Sequence, residues 1–174
     1  MKSTLFVSAA ALVLASGAAF ADDAKEDLQA MHGAKLSLTD AIRMAEKEGG
    51  GKAVEAELES HKSGHAQYTV EVLSSDGKKL TEYTLDANTG KIEKASNEPL
   101  EKFVERVKPA DLEGAQTSLT EAIHSAESQT GGKVIDAETE GSGNKVHYEL
   151  KVAMADGKTN EIKVDGATGQ IASR

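Results

Sequence analysis

The sequence contains no cysteine, no tryptophan and only two prolines among its 174 residues. Without cysteine there can be no disulfide, no thiolate zinc site, no iron–sulfur cluster and no cysteine nucleophile. Acidic residues outnumber basic ones by 29 to 20, which gives a formal net charge of -9. Because nucleic-acid phosphates are bound by clustered Lys and Arg, this balance argues against a nucleic-acid partner.

The first residues have the composition of an export signal. Lys2 precedes a short Ala-rich apolar run over residues 5–20, and Ala19-Phe20-Ala21 fits a small-residue cleavage site. We therefore predict a signal peptide over residues 1–21, cleavage after Ala21 and a periplasmic location. No later apolar run is long enough to span a membrane, so we expect no membrane span after cleavage.

The rest of the chain contains an internal sequence repeat. The block Leu38–Ile42 (LTDAI) returns as Leu119–Ile123 (LTEAI), 81 residues later. The closing block Leu85–Ile92 returns as Val164–Ile171, 79 residues later. Matched blocks in the same order indicate an internal duplication. The register slips only where the sequence is typical of turns, because loops tolerate deletions.

Each repeat is predicted to begin with a helix and continue with strands. Ser37 and Ser118 are N-cap candidates, each followed three residues later by a carboxylate, Asp40 or Glu121. Apolar residues then recur at helical spacing, and after the following glycines the period changes to two. We predict an α+β fold of two tandem repeats, each with one helix, or two, packed on a four-stranded antiparallel sheet.

The predicted boundaries follow from these blocks. Residues 22–95 form the first repeat, residues 96–116 a helical linker, and residues 117–174 the second repeat. Pro99 suits the start of the linker helix, since proline fits the first helical position. The pattern is compatible both with two separate sheets and with sheets that join.

Taken together, the motifs resemble the PepSY domain family. They are the S-L-T-[DE]-A-I helix start, the glycine-ended helix, the Tyr-x-[VL]-x-V strand and the closing D-x-x-T-G-x-I turn, over roughly residues 36–95 and 117–174. The resemblance implies small α+β units of exported and membrane proteins, which also occur in propeptides of thermolysin-type metallopeptidases. It further implies a peptidase-inhibitory role, no catalytic residues and no cofactor.

Two histidines are candidate metal ligands. His61 and His65 flank Lys-Ser-Gly, and two imidazoles so close in sequence could share zinc or copper. Further ligands are not evident, and solvated surface histidines are the alternative. The run Asp86–Gly90 superficially resembles a calcium loop, but it lacks the carboxylates of an EF-hand, so we predict a turn.

No enzyme motif is present, so we predict a binding role. Tyr68, Tyr83 and Tyr148 are assigned to the core. Candidates for partner contact are polar positions on the water-facing side of the strands, namely Gln67, Thr69, Glu71, His147, Glu149 and Lys151. The leading hypothesis is a non-enzymatic periplasmic module that binds or restrains another exported protein, with a peptidase as the candidate. The alternative is an envelope protein that responds to a metal or small ligand.

Overall fold

The computed structural model describes residues 30, 31, 33–60 and 65–172, with only the backbone of Ser142. The predicted signal peptide and His61 lie outside these residues. In chain order the elements are α1 (Leu38–Gly49), β1 (Gly51–Ser60), β2 (Ala66–Ser74), β3 (Leu80–Asp86), β4 (Ile92–Glu98), α2 (Leu100–Arg106), α3 (Pro109–Glu113), α4 (Leu119–Thr130), β5 (Lys133–Ser142), β6 (Lys145–Ala153) and β7 (Thr159–Asp165).

The predicted helix caps of α1 and α4 are confirmed. The Ser37 hydroxyl accepts a hydrogen bond from the Asp40 backbone N–H, and the Asp40 carboxylate accepts one from the Ser37 backbone N–H. Ser118 and Glu121 form the same reciprocal box in α4. These bonds satisfy N–H groups that have no partner inside the helix, and so fix where each helix begins.

The strands form one seven-stranded sheet in the order β4-β3-β2-β1-β5-β6-β7, and every neighbouring pair is antiparallel. The repeats meet where β1 pairs with β5, with Ala56 opposite Ala137. Pairing the first strands of both repeats satisfies backbone groups that would otherwise lie on two sheet edges. The two halves are therefore one continuous sheet.

The predicted arrangement of four strands in each repeat is not confirmed. The second repeat contributes β5, β6 and β7, and the predicted last strand is reduced to a single bridge between Ile171 and Val164. Ile171 is the only large apolar residue of that predicted strand, so the sequence there contains no alternation that would define a buried face.

Both long helices cover the same face of the sheet. Tyr68 and Tyr148 point toward them, and their hydroxyls donate hydrogen bonds to the carbonyls of Leu36 and Thr117 at 2.6 and 2.5 Å. Burial raises the pKa of both phenols to about 12. We call this side the helix face and the other side the open face. The prediction that these tyrosines belong to the core is confirmed, since Tyr68, Tyr83 and Tyr148 are all buried.

Between the repeats lie α2 and α3. Phe103 in α2 is 1% exposed, and Val107 and Leu112, which follow it, are also buried. None of the helices in the described part of the chain is long and apolar enough to cross a membrane.

Candidate functional site

Carboxylates dominate the centre of the open face. Along β1 the buried Ala56 and Leu58 alternate with Glu55, Glu57 and Glu59, because successive side chains of a strand point to opposite faces. On β5, Glu138 lies directly opposite Glu55. The two repeats therefore bring their acidic strand positions together on the same face of the sheet.

Arg106, the last residue of α2, lies among three of these carboxylates. Its guanidinium contacts Glu55 at 3.2 Å and Glu140 at 3.1 Å, and it also pairs with Glu138. Glu55 belongs to β1, whereas the other two belong to β5, so the arginine joins the two repeats. A planar guanidinium has five N–H donors and can pair with several carboxylates at once. Arg106 thus fixes the end of α2 on the open face, at the junction.

Glu71 is the carboxylate most affected by this arrangement. It lies on β2 directly opposite Glu55 of β1 and Glu82 of β3. Burial raises the pKa of Glu71 to about 7, and the negative charges of Glu55, Glu98 and Glu82 add to the effect, against the opposing influence of Arg106. Near neutral pH a substantial fraction of Glu71 is therefore protonated.

The open face of the second repeat is a groove of about 900 Å³. All of its lining residues belong to β5, β6, β7 or to the segment 171–172. Its charged side chains are Asp136, Glu138, Glu149, Lys151, Glu161 and Lys163. Four carboxylates thus face two ammonium groups, so the groove is acidic but not uniformly so.

Glu149 is a carboxylate of this groove that is held by two neighbouring side chains. Its carboxylate accepts a hydrogen bond from Lys163 Nζ at 2.7 Å and lies 3.1 Å from His147 Nε2. The bond from Lys163, and then the one from His147, hold the pKa of Glu149 below its ordinary value. Glu149 is therefore ionised at neutral pH, and its side chain is half exposed.

The structure does not bring the predicted partner-contact residues into one cluster. Glu149 and Lys151 line the groove, and His147 is bonded to Glu149 on the same strand. Gln67, Thr69 and Glu71 lie on β2, which is separated from β6 by β1 and β5. Gln67 is hydrogen-bonded to Glu93. The role of all six residues in binding stays a prediction.

The predicted histidine pair can be described only in part. His65 is 61% exposed, and its Nδ1 lies 3.4 Å from the Asp86 carboxylate. Residues 30, 31, 33–60 and 65–172 contain no group of three or more His, Cys, Asp or Glu that could hold a metal ion.

The loop that resembled a calcium site is a turn held by its own aspartate. Asp86 Oδ1 accepts hydrogen bonds from the backbone N–H groups of Asn88 and Thr89 and from the Thr89 hydroxyl. Asp165 does the same with Ala167 and Thr168. These carboxylates stabilise the turn, as aspartate commonly does in Asx turns.

Sequence reasoning did not single out Arg106 and the three carboxylates around it. Alternation placed glutamates on one face of β1 and β5, but their proximity depends on the pairing of strands from different repeats. The sequence contains one indication of this cluster. It is a lone arginine at the end of the linker helix, which lies in the sequence between two strands rich in Glu.

One family model matches both repeats. It is described as "PepSY: Peptidase propeptide and YPEB domain", and it matches residues 35–95 and 117–174. No curated protein matches the chain at a significant level.

Two solved structures resemble the chain at low sequence identity. A candidate lipoprotein from Clostridium difficile 630 is 21% identical, with a TM-score of 0.48, over 80% of this chain and 92% of that one. The YpmB protein from Bacillus subtilis is 15% identical, with a TM-score of 0.32, over 77% of this chain and 93% of that one. At such identities and scores, neither carries a function over to this chain.

Proposed function

Because the chain belongs to the PepSY family, we propose that it is a non-enzymatic module that binds and restrains another exported protein, with a peptidase as the candidate partner. Family members are associated with a non-catalytic role in peptidase propeptides and inhibitor-like regulation. We further propose that the protein is exported through a signal peptide over residues 1–21 and acts in the periplasm.

The observation that carries this proposal is the groove on the open face of the second repeat. It is wide, polar and lined by strands, which give a rigid surface to a docking protein. Charges of both signs along its floor favour a specific partner, because a mismatched charge is costly at an interface. The two repeats share one sheet, so a partner would meet one continuous surface and not two independent modules.

The test is a capture experiment with the mature chain, residues 22–174. The protein is immobilised and exposed to periplasmic extract of the source bacterium, and retained proteins are cross-linked and identified. We expect a peptidase to be enriched, and the purified peptidase to lose activity as the mature chain is added. The charge-swapped variant E149K/K151E has the same net charge and should retain less of the partner.

Three results would overturn the proposal. One is the absence of any reproducibly retained protein. Another is a retained peptidase whose activity is unchanged by a molar excess of the mature chain. Reproducible retention of a sensor or transport protein would instead assign the chain an accessory role in signalling or uptake.

A further inference from the structure

The two halves of the sheet are related by a local twofold axis. In the β1–β5 pair, Glu55, Ala56 and Glu57 lie opposite Glu138, Ala137 and Asp136. The sequence repeat aligns each residue of β1 with the one 81 positions later, so Ala56 lies opposite its own counterpart. The axis therefore passes between Ala56 and Ala137, and a position on one half has a defined equivalent on the other.

The helix α2 occupies one of the two equivalent positions. Its Arg106 lies among Glu55, Glu138 and Glu140, and its Phe103 is 1% exposed. The helix thus shows what this open face accepts: a short helix with a basic residue for the carboxylates and a buried aromatic residue.

The axis carries this acidic site onto the second half. Glu55 maps to Asp136, Glu138 maps to Glu57 and Glu140 maps to Glu59, so all three carboxylates have acidic equivalents. Asp136 and Glu57 lie directly opposite each other across β1 and β5. They already interact with other groups of the chain, so a basic residue arriving here would join an existing network.

The same operation relates the surroundings of Arg106 to the groove. Glu71, which lies opposite Glu55 and feels the charge of Arg106, and its neighbour Glu82 have Lys151 and Glu161 as their equivalents, and both equivalents line the groove with Asp136. No helix residue is among its lining residues. Ile162 lies opposite the buried Leu150, and Ile171 lies opposite the buried Val164, so both isoleucines pack toward the core on the helix face and the side chains that reach into the groove are polar.

We propose that this groove binds a short, basic helix of a partner protein, in the position equivalent to that of α2. The basic side chain of the partner would lie near Asp136 and Glu57, where acidic side chains of both repeats meet. A second copy of this chain is a poor occupant, since each copy has a net charge of -9. The inference deepens the proposed function, because it names the kind of surface that the partner presents.

The first test uses a synthetic peptide as the probe. It copies residues 99–108, which include α2, with Glu101→Lys and Glu105→Lys, and its ends are capped. The peptide is titrated into the ¹⁵N-labelled mature chain, and amide shifts are mapped. We expect saturable shifts at Asp136, Glu149, Lys151 and Glu161. A scrambled peptide of the same composition should give none, which separates specific binding from general attraction to an acidic protein.

Matched variants then assign the binding to the groove. The double variant D136N/E149Q should bind the peptide about ten-fold more weakly, since each partly exposed ion pair contributes less than about five-fold in affinity. The control E48Q/E113Q has the same change in net charge at exposed positions outside the groove and should bind like the parent. Thermal unfolding of both variants checks that the fold is intact.

Several outcomes would overturn the inference. They are the absence of shifts, equal shifts with the scrambled peptide, or shifts confined to Glu55, Glu138 and Glu140, which would mean exchange with α2 itself. If D136N/E149Q loses the peptide but captures the natural partner unchanged, the inference fails while the proposed function stands. If the peptide binds the groove but no partner is captured, the proposed function fails while the groove remains a helix-binding site.

Discussion

Each repeat has its own capped helix and its own set of paired strands, but the two repeats differ in what covers the open face. In the first repeat, α2 ends above Glu55, and Glu71 is half-buried. In the second repeat the equivalent surface is a groove open to solvent. Duplication thus produced two equivalent surfaces, of which the chain itself fills one.

Two neighbouring strand positions offer a physical reason for the difference. Leu73 and Leu80 are paired across β2 and β3 on the open face, and both are buried. The equivalent pair in the second repeat is Ala153 and Thr159. The first repeat thus has an apolar contact surface where the chain leaves β4, and the second has much less apolar area there. Since apolar burial is the main force that holds an amphipathic helix on a sheet, this difference favours α2 on the first repeat.

The strongest test of this comparison is Phe103→Ala. If α2 is a packed element of the first repeat, removing its buried ring should lower the free energy of unfolding by about 3–4 kcal/mol, through lost burial and the cavity left behind. Val104 lies next to Phe103 in α2 and is 38% exposed, so Val104→Ala should cost less than about 0.5 kcal/mol. Urea unfolding of both variants measures the difference, and equal small losses would show that α2 merely lies against the sheet.

A second variant tests how closely the linker approaches the junction. A Cβ on Gly141 would overlap the carbonyl oxygen of Arg106. Gly141→Ala should therefore displace the end of α2 and cost about 2 kcal/mol of stability. Gly114→Ala is the matched control, because Gly114 has ordinary helical backbone angles and its added Cβ would make only normal contacts. Thermal unfolding should show a lower Tm for Gly141→Ala and an unchanged Tm for Gly114→Ala.

The helix caps should behave alike in the two repeats, in contrast to the open faces. Ser37→Ala and Ser118→Ala each remove the hydroxyl of a capping box and should each cost about 1 kcal/mol. We expect the two losses to agree within about 0.3 kcal/mol, because the hydrogen bonds are the same. A clear inequality in urea unfolding would mean that the repeats differ in their helices as well.

The features that could be predicted from the sequence depend on residues close together in the chain, such as helix caps and the periodic spacing of buried side chains. Ser37 with Asp40 defines the start of α1, and Leu38, Ala41, Ile42 and Ala45 form its buried side at the expected spacing. The pairing of β1 with β5 could not be predicted, because it joins residues 81 positions apart without a connecting turn. The partners of Arg106 depend on that pairing, because Glu55 belongs to β1 whereas Glu138 and Glu140 belong to β5.

The next expected effect concerns Glu71 and has a definite dependence on pH. The folded-state pKa of Glu71, about 7, lies above its ordinary value of 4.5, so the folded state binds this proton more tightly than the unfolded chain. The resulting stabilisation is complete below pH 4.5 and is lost as the pH rises through 7. Glu71→Gln removes this loss. The variant should match the parent near pH 4 and exceed it by about 1 kcal/mol at pH 8, a value reduced by solvent screening because the side chain is half exposed.

Glu149→Gln gives the opposite sign on the open repeat. The pKa of Glu149 is lowered by Lys163 and His147, so its contribution is present above pH 4.5 and is lost as the pH falls. This variant should be less stable than the parent at pH 8, by a few tenths of a kcal/mol, and equal to it at low pH. Urea unfolding from pH 4 to 8 measures both variants. Opposite slopes would show that carboxylates on the two halves of one sheet face experience opposite environments, one crowded beneath α2 and the other paired in a groove; parallel slopes would contradict the contrast.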